Sequence, residues 1–208
     1  MYTLYGALTT RAFRAAWLLE ELGQDYTVVS AYPHSAEIKA VNPRGKVPIL
    51  VDDDLVITDS TAILTYLTDK HAAFTAAPGT ADRARQDAML HRILDELEGP
   101  IWGASKHSFI FPEKLRVPEV VTTMGKEFAH NLNGFSDALA GDCLMGDEMT
   151  VPDILLVHLM TWALFMKIPV ENQTLLAYSK RLRSRPAYAK VSAQMKAAAA
   201  GSQAQRPR

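Results

Sequence analysis

The sequence predicts an α+β fold in two domains, with strands and helices mixed over residues 1–77 and helices alone over residues 78–208. Three observations lead to this prediction. Two short apolar runs, rich in β-branched residues, flank an acidic turn at residues 52–54. Apolar residues recur at helical spacing on both sides of that hairpin, and only helical patterns follow Pro78-Gly79. The domain boundary is therefore expected just before Pro78.

The composition excludes several classes of protein. With 48% hydrophobic and 22% charged residues, the chain of 208 residues has an ordinary globular composition. Its formal net charge of −1 gives no basic field for nucleic acid or an anionic membrane. We find neither a run of about 18 apolar residues nor a signal-peptide pattern at the start of the chain. The one cysteine, Cys143, permits no internal disulfide, which fits a reducing compartment, and we expect a cytoplasmic protein.

The first domain begins with a strand, a loop of small residues, a helix, a second strand and a segment that is either irregular or a short helix. These occupy, in order, residues 2–5, 6–10, 11–22, 26–30 and 32–41. The helix is predicted because Phe13, Ala16 and Trp17 lie near one face, and Gly23 ends it.

The most informative stretch is the loop before the hairpin and the helix start after it. The loop carries helix breakers and two cations, Asn42-Pro43-Arg44-Gly45-Lys46-Val47-Pro48. A proline at the head of a strand is typical of a cis bond in a tight turn, so Val47–Pro48 is expected to be cis. That geometry leaves the backbone N–H and C=O of Val47 in need of partners. After the hairpin, Asp59 and Ser60 are good N-caps for the next helix.

These residues together predict a site for a small anionic peptide. An extended peptide can pair with the open backbone of Val47 as an added strand. Asp59 and Ser60 lie at a helix start, where free N–H groups and the helix dipole favour a carboxylate, and Lys46 adds a positive charge. A ligand with a carboxylate at each end and a peptide in the middle would suit all three features. The alternative is a hairpin and a capped helix without a ligand.

Residues 42–48, followed by Asp59 and Ser60, resemble the glutathione-binding core of cytosolic-type glutathione S-transferases. Two later features are similar to that family, a helix capping box and a step near the end of the chain, Thr150-x-x-Asp153 and Arg185-Pro186-Ala187. The resemblance spans residues 1–195. It implies a thioredoxin-like βαβαββα first domain and a homodimer, with glutathione as co-substrate for conjugation to hydrophobic electrophiles.

Conjugation needs a glutathione thiolate, so a hydrogen-bond donor must lower the pKa of the thiol. By the resemblance, that donor comes from the loop after the first strand. The serine of the serine-type classes falls on Thr9, and Thr10 is the alternative one residue away. Tyr5 is the remaining donor, although its place in the strand pattern favours a core or strand-end aromatic. No cysteine lies in residues 1–78, which disfavours a redoxin or a cysteine-type transferase.

The resemblance also implies a set of binding residues for glutathione. They are His34, Lys46, Val47, Pro48, Asp59 and Ser60. Asp59 would bind the γ-glutamyl ammonium, and Ser60 would bind the neighbouring carboxylate. His34 fits the register for a cation at the glycine carboxylate better than Lys39 does, and a solvated loop histidine is the alternative.

The second domain is predicted to be helical throughout. The expected helices cover residues 81–106, 112–139, 154–166, 171–183 and 186–199, with a basic tail at residues 201–208. Trp102, His107 and Phe109 cluster where the first of these helices ends. By the resemblance they line the pocket for the electrophile, and plain core packing is the alternative. No clustered cysteines or paired histidines predict a metal site.

Two alternatives to conjugation remain open. Glutathione-dependent peroxidase or disulfide-bond reductase activity would use the same site. A catalytically weak scaffold or carrier of the same fold is the other alternative, because threonine stands where the serine-type classes have serine.

Overall fold

The computed structural model describes residues 1–204, and side chains as far as residue 200. It divides into two compact units. The first comprises Met1–Ala73 together with the chain from Arg183 onward, and the second is Phe74–Leu182. The last helix, which the sequence analysis grouped with the second domain, thus belongs to the same compact unit as the first strands.

The first unit contains a four-stranded sheet with the strand order β2-β1-β3-β4. The strands are β1 (Tyr2–Tyr5), β2 (Tyr26–Val29), β3 (Ile49–Asp52) and β4 (Leu55–Thr58). β1 runs parallel to β2 and antiparallel to β3, and the predicted β3–β4 hairpin is antiparallel. The helices between them are α1 (Ala12–Glu21), α2 (Ala36–Val41) and α3 (Ser60–His71). The βαβαββα order is therefore confirmed, and the segment left open in the sequence analysis is helical because Ser35 caps it.

Helix α1 is the centre of the first unit. All residues from Ala12 to Leu19 are buried, since small and apolar side chains allow close packing on both of its sides. The helix that closes the chain, α9 (Pro186–Ala204), packs on α1. Its Tyr188 ring lies edge-on to Phe13 and Trp17, with centroids 5.0 and 4.9 Å away.

The second unit consists of helices, as predicted. They are α4 (Ala81–Ile93), α5 (Gly99–Ser105), α6 (Pro118–Asn133), α7 (Val151–Phe165) and α8 (Gln173–Arg183). A π-helical turn, Leu94–Glu98, joins α4 to α5, and a second, Lys106–Ile110, follows α5 and extends the predicted first long helix. The helix expected over residues 112–139 is shorter in the structure, because α6 begins only at Pro118 and Gly134 ends it. The predicted tail overlaps the end of α9 and otherwise lies outside the described residues.

The predicted capping box at the start of α7 is confirmed. The Asp153 carboxylate accepts hydrogen bonds from the backbone N–H and the hydroxyl of Thr150, at 2.8 and 3.0 Å. It also accepts from the Leu144 N–H at 2.9 Å and the Tyr178 hydroxyl at 2.7 Å. Asp153 is fully buried, and this burial raises its pKa above the ordinary value despite the opposing effect of its donors. Through residue 204, no helix is long and apolar enough to cross a membrane.

Candidate functional site

The loop between β1 and α1 carries the two threonines proposed as thiol donors. The hydroxyl of Thr10 donates to the Ala7 carbonyl oxygen at 2.7 Å and accepts from the Ala12 N–H at 3.2 Å. The Thr10 hydroxyl is therefore bonded within the loop and to the first N–H of α1, and its proton is already engaged. Thr9 is exposed, and its hydroxyl makes no hydrogen bond to any described residue. Of the two, Thr9 is the one whose hydroxyl can donate to a ligand without losing an internal bond.

Tyr5 lies within β1, as its alternation predicted. It stands opposite Ile49 of β3 and packs against the core cluster of Ala31, Ile38 and Ile49. Its side chain is only half-buried, so its ring contributes mainly to packing at the end of the strand.

The peptide bond between Val47 and Pro48 is cis, as expected. Within the described chain, the backbone N–H and C=O of Val47 have no hydrogen-bond partner, because β3 pairing begins only at Ile49. Val47 also packs closely against Gly6 of the β1–α1 loop. A Cβ at Gly6 would lie 3.1 Å from the Ala12 Cβ and 3.2 Å from the Val47 Cβ, and Gly6 has a φ of 132°. The unpaired backbone of Val47 is thus beside the loop that carries Thr9.

Asn42 holds the loop that precedes Val47. Its buried side chain donates to the Lys46 carbonyl oxygen and accepts from the Arg44 N–H, both at 3.1 Å. The His34 N–H donates to the Gly45 carbonyl oxygen at 2.8 Å, which ties the segment before α2 to this loop. Any Cβ at Gly45 would meet the His34 ring, so that ring lies directly on the loop.

The predicted cations are exposed on this loop and on α2. His34, Lys39 and Lys46 all face solvent, and neither His34 nor Lys46 has an ion pair among the described residues. His34 and Lys46 flank Gly45, whereas Lys39 lies within α2. The geometry therefore favours His34 over Lys39 as the second cation at this loop.

Asp59 and Ser60 form the start of α3. The Asp59 carboxylate caps the helix by accepting from the N–H groups of Thr61 and Ala62, at 2.8 and 3.1 Å. Its φ of 77° is unusual for a residue other than glycine, and such strained positions concentrate at ligand sites. Ser60 is almost completely buried, and its hydroxyl oxygen accepts from the Arg14 guanidinium at 3.1 Å.

Arg14 is a residue of this region whose role the sequence alone did not indicate. It is fully buried in α1 and joins that helix to the start of α3 through Ser60. The signal for it is a single arginine among the small and apolar residues of α1, where a buried cation needs a hydrogen-bond partner. Arg14 fixes the position of Ser60 and adds positive charge below the α3 N-terminus.

The residues proposed for the electrophile lie in the second unit. Trp102 is half-buried in α5, with its ring edge-on to Trp162 at 6.2 Å. The π-helical turn after α5 carries His107, whose Nδ1 accepts from the Val117 N–H at 3.2 Å. Phe109 is 44% exposed, and its ring lies 6.0 Å from that of the exposed Phe165. Phe109 therefore presents an aromatic surface to solvent, while Trp102 and His107 are partly engaged in packing.

Among the described residues, no group of His, Cys, Asp or Glu side chains is arranged to hold a metal ion. The polar groups around Val47 are hydroxyls, backbone N–H groups, the Asp59 carboxylate and the side chains of His34 and Lys46. This set suits the binding of an anionic peptide and the stabilisation of a thiolate.

Comparisons with known proteins give a consistent result. Residues 4–76 match the family model of the glutathione S-transferase N-terminal domain. Glutathione S-transferase 3 of Zea mays is 30% identical over 166 residues, covering 72% of each chain. Glutathione S-transferase GstA of Escherichia coli O157:H7 is 26% identical over 179 residues, covering 81% of this chain and 86% of its own.

A solved structure with the same fold is glutathione transferase URE2P6 from Phanerochaete chrysosporium, crystallised with oxidized glutathione. Its TM-score is 0.80 at 25% identity, over 94% of this chain and 96% of that protein. The similarity therefore extends through both units.

Proposed function

Because this chain belongs to the glutathione S-transferase family of enzymes, we propose that it conjugates the glutathione thiolate to hydrophobic electrophiles. The observation that carries the proposal is the unpaired backbone of Val47, which lies against the loop of Thr9. A peptide can pair with that backbone if it is extended there, as an added strand is. The oxidized glutathione bound to URE2P6 supports the same class of ligand.

Each end of glutathione would then find its own partners. The N–H and C=O of Val47 would pair with the cysteinyl residue. Ser60 and the N-terminus of α3 would bind the γ-glutamyl carboxylate, and Asp59 would bind the ammonium. His34 and Lys46 would bind the glycine carboxylate. This arrangement places opposite charges at each ionic group of the ligand.

For the reaction itself, the main task of the protein is to stabilise the glutathione thiolate. Thr9 would donate its hydroxyl proton as a hydrogen bond to the sulfur anion, which lowers the pKa of the bound thiol. The thiol proton goes to solvent, and the thiolate attacks the electrophilic carbon of, for example, an aryl halide. A carbon–sulfur bond forms, the carbon–halogen bond breaks and halide leaves. Trp102, His107 and Phe109 would bind the apolar part of the electrophile.

Titration with glutathione in a calorimeter, followed by an assay with an aryl chloride, tests this proposal. Asp59→Asn is the sharpest variant, because asparagine caps helices as well as aspartate and tolerates a positive φ, so only the charge is lost. We expect glutathione affinity to fall by about 1.5–3 kcal/mol, with the melting temperature unchanged. Asp54→Asn, on the exposed turn of the hairpin, is the matched control. Equal dissociation constants for wild type and Asp59→Asn would exclude the assignment of Asp59.

Reduction of hydroperoxides or disulfides is the second candidate, because oxidized glutathione is the ligand in the URE2P6 structure. In that reaction two glutathione molecules give up two electrons and two protons, a hydroperoxide becomes an alcohol and water, and oxidized glutathione forms. Measuring oxidized glutathione and conjugate in parallel distinguishes the two candidates. Glutathione binding without either product would indicate the carrier role.

We also propose that the protein is a cytoplasmic homodimer. Arg83 and Arg92 of α4 pair with acids of the same helical run, Asp87 and Glu96, both at 2.9 Å. The Arg92–Glu96 pair lies at the surface, where an ion pair adds little to stability, so Arg92 can contact a partner subunit instead. Sedimentation at micromolar concentration should show a dimer, and a monomer alone would contradict this part of the proposal.

A further inference from the structure

Strand β2 lies at one edge of the described sheet and is paired only with β1. The Tyr2 and Gly6 N–H groups donate to the carbonyl oxygens of Asp25 and Val29. In a parallel pair, every second residue of a strand bonds to the neighbouring strand, and the residues between them point their N–H and C=O groups away from it. Tyr26, Val28 and Ser30 therefore present their N–H and C=O groups outward, and these groups have no backbone hydrogen bond in the described chain.

The same three residues line a groove of about 450 Å³ in the first unit. The other lining residues come from the β1–α1 loop, the end of α1, the turn that follows it and one side of α9: Leu8, Glu20, Gln24, Asp25, Lys190, Gln194 and Ala198. Residues of β2 thus form one wall of this groove.

Glu20 holds the walls of this groove together. Its carboxylate accepts from the Tyr26 hydroxyl at 3.0 Å and from the Lys190 ammonium at 2.7 Å, so β2, α1 and α9 are linked. Burial and the adjacent Glu20 raise the pKa of Tyr26, which therefore remains a donor. A groove whose walls are already fixed loses little conformational freedom when it binds a ligand.

The chemistry of the groove matches a polypeptide strand. Alternating outward N–H and C=O groups at the spacing of a strand are complementary to another extended backbone. The groove carries a net negative charge, because Lys190 is paired with Glu20 while the exposed Asp25 has no ion pair among the described residues. We propose that β2 binds an extended segment of a partner polypeptide as an added strand, with a basic side chain of that segment near Asp25. This site is separate from Val47, because β1 lies between β2 and β3.

Selective N-methylation of a model peptide tests this inference without altering the protein. The probe is a fluorescein-labelled, end-capped peptide of sequence Ser-Thr-Val-Lys-Val-Thr-Ser, measured by fluorescence anisotropy. One version is N-methylated at alternate residues starting from the second, the other at alternate residues starting from the third. In an added strand only one of these sets faces β2. We therefore expect one version to bind at least about tenfold more weakly than the other. The proposal is overturned if the two N-methylated versions bind equally well. It is also overturned if neither of them nor the parent peptide binds.

Protein variants locate the peptide. Asp25→Asn should weaken binding of the lysine peptide about threefold to tenfold and leave a peptide with alanine in place of lysine unchanged, with Asp53→Asn as the control. Val28→Pro removes one outward N–H but none that bonds to β1, so it should abolish binding while glutathione affinity is kept. Amide exchange of Val28 and Ser30 should slow when peptide is bound. Full retention of binding in both variants overturns the assignment to β2. Self-association of the protein without peptide, if Val28→Pro abolishes it, also overturns the assignment, because a second copy of the chain would then occupy the edge of β2.

Discussion

The assignment of Thr9 as the thiol donor leads to a quantitative prediction, because Thr9 and Thr10 differ in their internal bonds. Thr9→Val keeps the shape of the side chain and removes no hydrogen bond within the described chain. Its stability should therefore equal that of wild type. Losing a hydrogen bond to a charged sulfur costs about 1.5–3 kcal/mol, which raises the pKa of bound glutathione by about 1 to 2 and slows conjugation about tenfold to a hundredfold.

Thr10→Val is the contrasting variant. It removes the bonds to the Ala7 carbonyl oxygen and from the Ala12 N–H, so the free energy of unfolding should fall by about 1–2 kcal/mol. Thr9→Ser keeps the hydroxyl and should restore the wild-type pKa. The measurement is the thiolate absorbance of bound glutathione against pH, with urea unfolding alongside. A titration that moves in Thr10→Val or Tyr5→Phe but not in Thr9→Val refutes the assignment.

Three further predictions test other parts of the first and second units. Gly6→Ala should weaken glutathione binding at least about tenfold, because the new Cβ would press on Val47 at a φ that alanine rarely adopts; calorimetry compares it with Gly79→Ala, which has open space around it. Asp153→Ala leaves the donors of Thr150, Leu144 and Tyr178 unsatisfied in the core and should lower the free energy of unfolding by about 3 kcal/mol or more, whereas exposed Asp137→Ala should not. Lys70 and Tyr66 lower the pKa of Asp52 through hydrogen bonds. This stabilisation is present above the unfolded pKa near 4 and is lost as the pH falls through the folded value, so Asp52→Asn should flatten the acid limb of the unfolding profile.

Much of the first unit could be predicted because its signals are local. The hairpin, the cis bond at Pro48 and the capped start of α3 each depend on residues within a few positions of one another. The capping box of α7 is local in the same way. Local features of this kind can be predicted without knowledge of the tertiary structure, since the residues that form them are near one another in the chain.

The features that could not be predicted depend on contacts distant in the sequence. Arg14 resembles any helix arginine until its partner, 46 residues away, is known. α9 joins the first unit through the rings of Phe13, Trp17 and Tyr188, and nothing in its own sequence names those partners. α6 is shorter than its apolar periodicity indicated, because Pro118 occupies its first turn and Gly134 its C-terminal end.

Glutathione and the proposed peptide segment would bind to the first unit at different positions, and the charges around the two positions differ as well. Val47 and the outer edge of β2 both offer unpaired backbone, and backbone alone does not distinguish one extended peptide from another. The surroundings do distinguish them. Cations and a helix N-terminus flank Val47, which favours the two carboxylates of glutathione, whereas the unpaired carboxylate of Asp25 favours a basic segment at β2. Saturating glutathione should therefore leave the affinity of the lysine peptide unchanged, and mutual competition would mean that both bind at Val47.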